Sequence, residues 1–102
     1  MNPEKVEYII DALSDVELLA QLAEEAAELG HAALKLRRAI DGGNPTPVTK
    51  AEAVKNLREE IADVWLLVKV LGMDEERDVA TYREIMARKV DRWAERMDWG
   101  SE

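Results

Sequence analysis

Apolar residues recur along this chain at steps of three and four, the spacing that places side chains on one face of an α-helix. This spacing predicts a short first helix, two long helices and a fourth helix over about residues 75–97. Asn2-Pro3 opens the first helix, and capping boxes at residues 14–17 (SDVE) and 49–52 (TKAE) open the two long ones. The glycine- and proline-rich stretch 41–47 predicts the loop between the long helices.

Each long helix carries one continuous apolar stripe that must be buried against another helix. The sequence therefore predicts an all-α, antiparallel bundle of about four helices, built as a single domain over residues 1–102. The stripe positions are Leu19, Leu22, Ala26, Leu29, Ala33, Leu36 and Ile40 in the second helix, Val54, Leu57, Ile61, Val64, Val68 and Leu71 in the third, and Val79, Tyr82, Met86 and Trp93 in the fourth.

Two acid pairs with the same spacing flank these stripes, Glu25 with Glu28 and Glu60 with Asp63. Residues three apart are neighbours on a helix surface, so each pair presents its oxygens side by side. In an antiparallel hairpin the four carboxylates can share one patch, where they repel one another unless protons or a cation neutralise them. The pattern therefore indicates a cation site. An amide precedes each pair by four residues, at Gln21 and Asn56.

Composition narrows the choice of cation and of partner. The chain has 102 residues, a net charge of −8 and no cysteine, which argues against a nucleic-acid surface and against a thiolate metal site. Carboxylate ligands without several histidines favour magnesium, manganese or calcium, and magnesium is often completed by substrate phosphates. No signal peptide or membrane-length apolar run is visible, so we expect a cytoplasmic protein without a membrane partner.

The acids have other interpretations that stay open at this point: a non-catalytic helical module and a di-iron protein. They can form a solvated face or interhelical salt bridges in a non-catalytic helical assembly or binding module. A di-iron carboxylate bundle would need Glu-x-x-His on two helices, and here Glu28-x-x-His31 occurs once. Glu24 and Glu59 lie further from the stripes, and we expect them, like His31, to face solvent.

The segments EEAAELGHAALKLRRA and NLREEIADV resemble MazG-like, all-α nucleoside triphosphate pyrophosphohydrolases, whose signature is EExxE…ExxD. Glu24-Glu25-x-x-Glu28 and Glu60-x-x-Asp63 match it, and the similarity covers roughly residues 14–95. The resemblance implies an all-α homodimer or homotetramer that uses Mg²⁺ to hydrolyse a nucleoside triphosphate to the monophosphate and pyrophosphate. Phosphoribosyl-ATP pyrophosphohydrolase shares this architecture and is the alternative activity.

The resemblance also assigns roles to particular side chains. It implies that the metal ligands are Glu25, Glu28, Glu60 and Asp63. The general base is left open among Glu24, Glu28 and Glu59. The family places a lysine, and an asparagine four residues later, near the phosphates; Lys89 matches the lysine, but Trp93 stands in place of the asparagine, with Asp91 between them. Further candidates for substrate contact are Gln21, Lys35 and Asn56.

Overall fold

The computed structural model describes residues 1–42 and 48–100, and within these residues the chain forms four α-helices and no strand. Helix α1 spans Pro3–Ala12, α2 Asp15–Asp41, α3 Lys50–Val70 and α4 Glu76–Arg96. The expected all-helical architecture is confirmed. Most of the loop predicted at 41–47 lies outside the described residues.

The helices begin where the sequence places capping residues. The Asn2 side chain accepts a hydrogen bond from the Glu4 N–H at 2.9 Å, while Ser14 Oγ and Thr49 Oγ1 each accept one at 3.2 Å from the N–H three residues later. Such a cap satisfies an N–H that would otherwise lack a partner and contributes about 1 kcal/mol. The end of α2 is marked by Gly42, whose φ of 67° lies in the left-handed region that favours glycine.

Helices α2 and α3 pack against each other, and α1 contacts α3. An apolar cluster of Leu18, Leu67 and Val70 joins the beginning of α2 to the end of α3, so the two helices run antiparallel. Leu18 is only 2 % exposed, and burying a side chain of this kind contributes about 1.5–3 kcal/mol. The partly buried side chains around this cluster are Leu13, Leu22 and Leu71.

In α2, the face that meets α3 differs from the predicted stripe at every second position, whereas in α3 only Ile61 departs from the prediction. Leu22, Leu29 and Leu36 are partly buried as predicted, but the positions that alternate with them lie one residue earlier than expected. In α3, Ile61 is 51 % exposed, whereas Glu60 is partly buried. The prediction of an interface through Leu19, Ala26, Ala33, Ile40 and Ile61 is therefore wrong; the positions turned inward are Leu18, Glu25, Ala32, Ala39 and Glu60.

Adjacent similar residues explain this error. Leu18 is followed by Leu19 and Ala32 by Ala33, so two stripes one residue apart both repeat with helical spacing. Packing selects the stripe that brings Ala32 and Ala53, both buried, into the interface between α2 and α3. Small side chains at those positions allow the two helices to approach closely.

Contacts divide the chain into two units, Met1–Gly72 and Met73–Glu102, and α4 belongs to the second. A capping box between Glu75 and Asp78 opens α4, and the Tyr82 hydroxyl donates a hydrogen bond to the Met73 carbonyl. Of the side chains predicted to point inward, Val79 and Tyr82 are partly buried, while Met86 and Trp93 are exposed. The single domain stays a prediction. No described helix combines the length and the apolar character that crossing a membrane requires.

Candidate metal centre and adjoining groove

Three carboxylates from two helices meet near the middle of the α2–α3 interface. Glu25 of α2 and Glu60 and Asp63 of α3 each offer one oxygen, and these oxygens lie within 4.8 Å of one another. Glu25 and Glu60 are partly buried, and Asp63 is exposed. We call these three residues the acid triad. It unites three of the four acids that the sequence predicts as metal ligands.

Helical periodicity explains why the acids lie inside the interface. Glu25 stands three residues after Leu22 and four before Leu29, on the face of α2 that those leucines share. Glu60 occupies the equivalent place between Leu57 and Val64 on α3. Each glutamate therefore takes a position where an apolar side chain would otherwise pack against the opposite helix.

The environment of the acid triad favours the protonated form of Glu25. Partial burial raises the pKa of Glu25 above its ordinary value of 4.5. The negative charges of Asp63 and Glu60, and hydrogen bonds with these two carboxyl groups, raise this pKa further. A divalent cation bound among the carboxylates would remove the same repulsion without a proton.

Glu60 contributes a second unusual feature of the acid triad. Its Oε2 atom is buried and has no hydrogen-bond partner among the described residues. Buried polar atoms are nearly always paired, and a buried carboxylate oxygen is especially costly to leave unpaired. Exposed acidic groups are common without a metal, but partial burial and this unpaired oxygen distinguish the acid triad. Three hard oxygen donors could hold a divalent cation such as Mg²⁺, Mn²⁺ or Ca²⁺.

A groove between α2 and α3 opens beside the acid triad. Glu60 belongs to both, because it lines the groove as well as meeting Glu25 and Asp63. The cavity volume of the groove is about 70 Å³. The residues that line it are Glu28, His31, Ala32 and Lys35 from α2 and Ala53, Asn56 and Glu60 from α3.

The remaining predicted site residues fall into three places. Glu28 lies in the wall of the groove rather than in the acid triad, and Lys35 and Asn56 line the same groove. Gln21, Glu24 and Glu59 are exposed and belong neither to the acid triad nor to the groove. Lys89 and Asp91 are exposed on α4, where Lys89 lines a separate groove with Arg92, Trp93 and Arg96.

His31 is the polar groove residue to which the sequence assigns no role. It is exposed, as expected, yet it lines the groove together with Glu28 and Lys35. The available signal was spacing, since His31 follows Glu28 by three residues and precedes Lys35 by four, which places all three on one face of α2.

No protein-family model, no curated protein and no solved structure matches this chain. The support for a function therefore comes from the side chains of α2 and α3 and from the sequence pattern that they carry.

Proposed function

We propose that this protein is a MazG-like, Mg²⁺-dependent nucleoside triphosphate pyrophosphohydrolase. It would convert a ribo- or deoxyribonucleoside triphosphate to the monophosphate and pyrophosphate in the cytoplasm. The observation that carries the proposal is the acid triad, with one buried and unpaired oxygen, on two helices that bear the EExxE…ExxD pattern. The groove beside it adds a lysine and an asparagine that can donate hydrogen bonds to phosphate.

The proposed division of labour follows the positions of the acids. Glu25, Glu60 and Asp63 would hold Mg²⁺ or Mn²⁺, since they offer three oxygens within 4.8 Å. A bound Mg²⁺ would neutralise charge on the triphosphate and help to activate the attacking water. We assign the general base to Glu28, which lines the groove, rather than to Glu24 or Glu59, which lie outside it.

The reaction then needs a short sequence of bond changes. Glu28 accepts a proton from a water that attacks the α-phosphorus, and a new oxygen–phosphorus bond forms. The bond between the α-phosphorus and the α–β bridging oxygen breaks, and pyrophosphate leaves with that oxygen. The carboxylates of the acid triad contribute by positioning and by charge neutralisation, which are the main demands of phosphoryl transfer.

A homodimer or homotetramer is part of the proposal. Ile61 and Trp65 lie four residues apart on α3 and are 51 % and 58 % exposed, so they form a shared apolar surface. A chain of 102 residues builds a modest core, and a contiguous exposed apolar surface favours burial against a second copy. The same surface supports the second candidate, a non-catalytic helical assembly module.

A turnover assay separates the candidates. The protein is incubated with Mg²⁺ and a panel of canonical nucleotides, modified nucleotides and phosphoribosyl-ATP, and released pyrophosphate is measured. We expect turnover that Glu25→Gln and Asp63→Asn abolish and that Glu7→Gln, an exposed acid on α1, leaves unchanged. Turnover of phosphoribosyl-ATP alone would establish the alternative enzyme. If no nucleotide is turned over and Mg²⁺ does not stabilise the protein, the non-catalytic assembly module would be the remaining candidate function.

A further inference from the structure

The groove beside the acid triad changes its chemical character along its length. Glu60 belongs to both the groove and the acid triad, and Glu28 lines the groove three residues after Glu25 of the triad. His31, Lys35 and Asn56 bring hydrogen-bond donors to the same groove. Lys35 lies seven residues beyond Glu28, which corresponds to about 10 Å along the axis of α2. A ligand lying along the groove would therefore reach from the carboxylates to a lysine ammonium.

The floor of the groove is made by two small side chains. Ala32 and Ala53 are both buried and both line the groove, so it lies over a contact between two small side chains. His31 and Lys35 are four residues apart on α2 and are neighbours on its surface. Asn56 stands on the opposite wall, on α3. The donors thus come from both helices.

The size of the groove limits what it can hold. Pockets that enclose a drug-sized ligand are typically about 300–1,000 Å³, and this groove has a volume of only about 70 Å³. It is too small to enclose a nucleotide. It has room for a small anion such as a phosphate group, with the rest of a larger ligand outside.

We propose that His31, Lys35 and Asn56 form a subsite for the terminal phosphate group of the substrate, and hence for one end of the pyrophosphate product. The Lys35 ammonium and the Asn56 amide donate to phosphate oxygens, and the imidazole of His31 donates its N–H. This subsite rests on the proposed hydrolase function for the identity of the substrate. It adds a specific role for His31 and predicts that pyrophosphate binds without a nucleoside attached.

The test is the binding of inorganic pyrophosphate in Mg²⁺, measured by calorimetry on the full chain. Lys35→Met should weaken pyrophosphate binding about tenfold or more, the loss expected for one charge-assisted hydrogen bond. The matched control is Lys55→Met, which removes the same charge from an exposed position on α3 outside the groove. His31→Leu should also weaken binding, and His31→Gln, which keeps an N–H donor, should restore part of it. Circular dichroism checks that each variant stays helical.

The outcomes distinguish the subsite from the hydrolase. Equal pyrophosphate affinity in Lys35→Met and Lys55→Met would overturn the subsite. Nucleotide turnover by a protein that does not bind pyrophosphate would also overturn it, while the proposed function would stand. Pyrophosphate binding that depends on Lys35, in a protein that hydrolyses no nucleotide, would support the anion site and overturn the hydrolase. Lys35-dependent binding of a nucleoside monophosphate, but not of pyrophosphate, would assign the groove to the other product.

Discussion

Glu25 of α2 and Glu60 of α3 oppose each other inside the helix–helix interface, and one carboxylate oxygen of each lies within 4.8 Å of the other. Each glutamate occupies a position whose neighbours along the helix face are partly buried apolar side chains. Two like charges at such a contact oppose packing unless a proton or a cation intervenes. Apolar residues at the same positions would hold the hairpin together better, so the two glutamates lower the stability of this interface.

The stability of the metal-free protein should depend on pH through Glu25. The folded protein holds the Glu25 proton more tightly than the unfolded chain, since its folded-state pKa lies above 4.5. The contribution of Glu25 to the free energy of unfolding is therefore largest below the ordinary pKa and falls as pH rises through the raised pKa. Glu25→Gln should remove this fall. Urea unfolding in EDTA should thus show the variant gaining stability relative to the wild type as the pH rises from 4.5 through the raised pKa of Glu25; a difference that is constant with pH would contradict the prediction.

Magnesium or manganese should raise the melting temperature of the protein. A ligand that binds only the folded state stabilises it by about 2.7 kcal/mol when its concentration is 100 times its Kd. Asp63→Asn removes one of the three clustered oxygens and should lose most of the shift, whereas Glu7→Gln should keep it. Thermal unfolding across a magnesium titration measures this. The same shift in wild type and in Asp63→Asn would show that the ion binds elsewhere.

Leu67→Ala and Ile61→Ala should differ sharply in their effect on folding. Leu67 is 7 % exposed in the apolar cluster, so its truncation should lower the free energy of unfolding by about 2–5 kcal/mol. Ile61 is 51 % exposed, and in dilute protein its truncation should change that free energy by no more than about 0.5 kcal/mol. Denaturant unfolding at several protein concentrations tests both. An Ile61→Ala cost that grows with protein concentration would place Ile61 in an interface between copies.

Gly30→Ala should stabilise the protein. The surrounding alanines predict that another helix approaches closely at Gly30, but a Cβ added there would meet nothing within 4 Å among the described residues. Glycine inside a helix costs about 0.5–1 kcal/mol relative to alanine, and the substitution should recover that amount. Denaturant unfolding measures the gain. A loss of stability instead would indicate that a second copy packs against this face of α2.

The sequence predicted the helices because their signals are local. Asn2, Ser14 and Thr49 cap the first turns of their own helices, and three- and four-residue spacing of apolar side chains is a property of one helix alone. The meeting of Glu25 with Glu60 and Asp63 was also predictable, since i and i+3 acids on two antiparallel helices can face each other across their contact.

The burial of Glu25 and Glu60 within the helix–helix interface was not predictable in the same way. The apolar pattern placed Glu25 and Glu60 beside the interface, but the structure places both of them within it. It also leaves Glu28 in the groove rather than in the acid triad. The apolar spacing of α2 fits two neighbouring faces, and only its contact with α3 shows which of them is buried.

The sequence by itself determined the number of helices, their starts and the presence of two matched acid pairs. Tertiary structure alone decided which of two neighbouring stripes is buried, and with it which acids enter the interface. The physical reason is that Leu18 and Leu19, or Ala32 and Ala33, satisfy helical periodicity equally well. The choice between them depends on which side chains fit against the opposite helix. The packing energy that decides it arises only when the two helices are in contact.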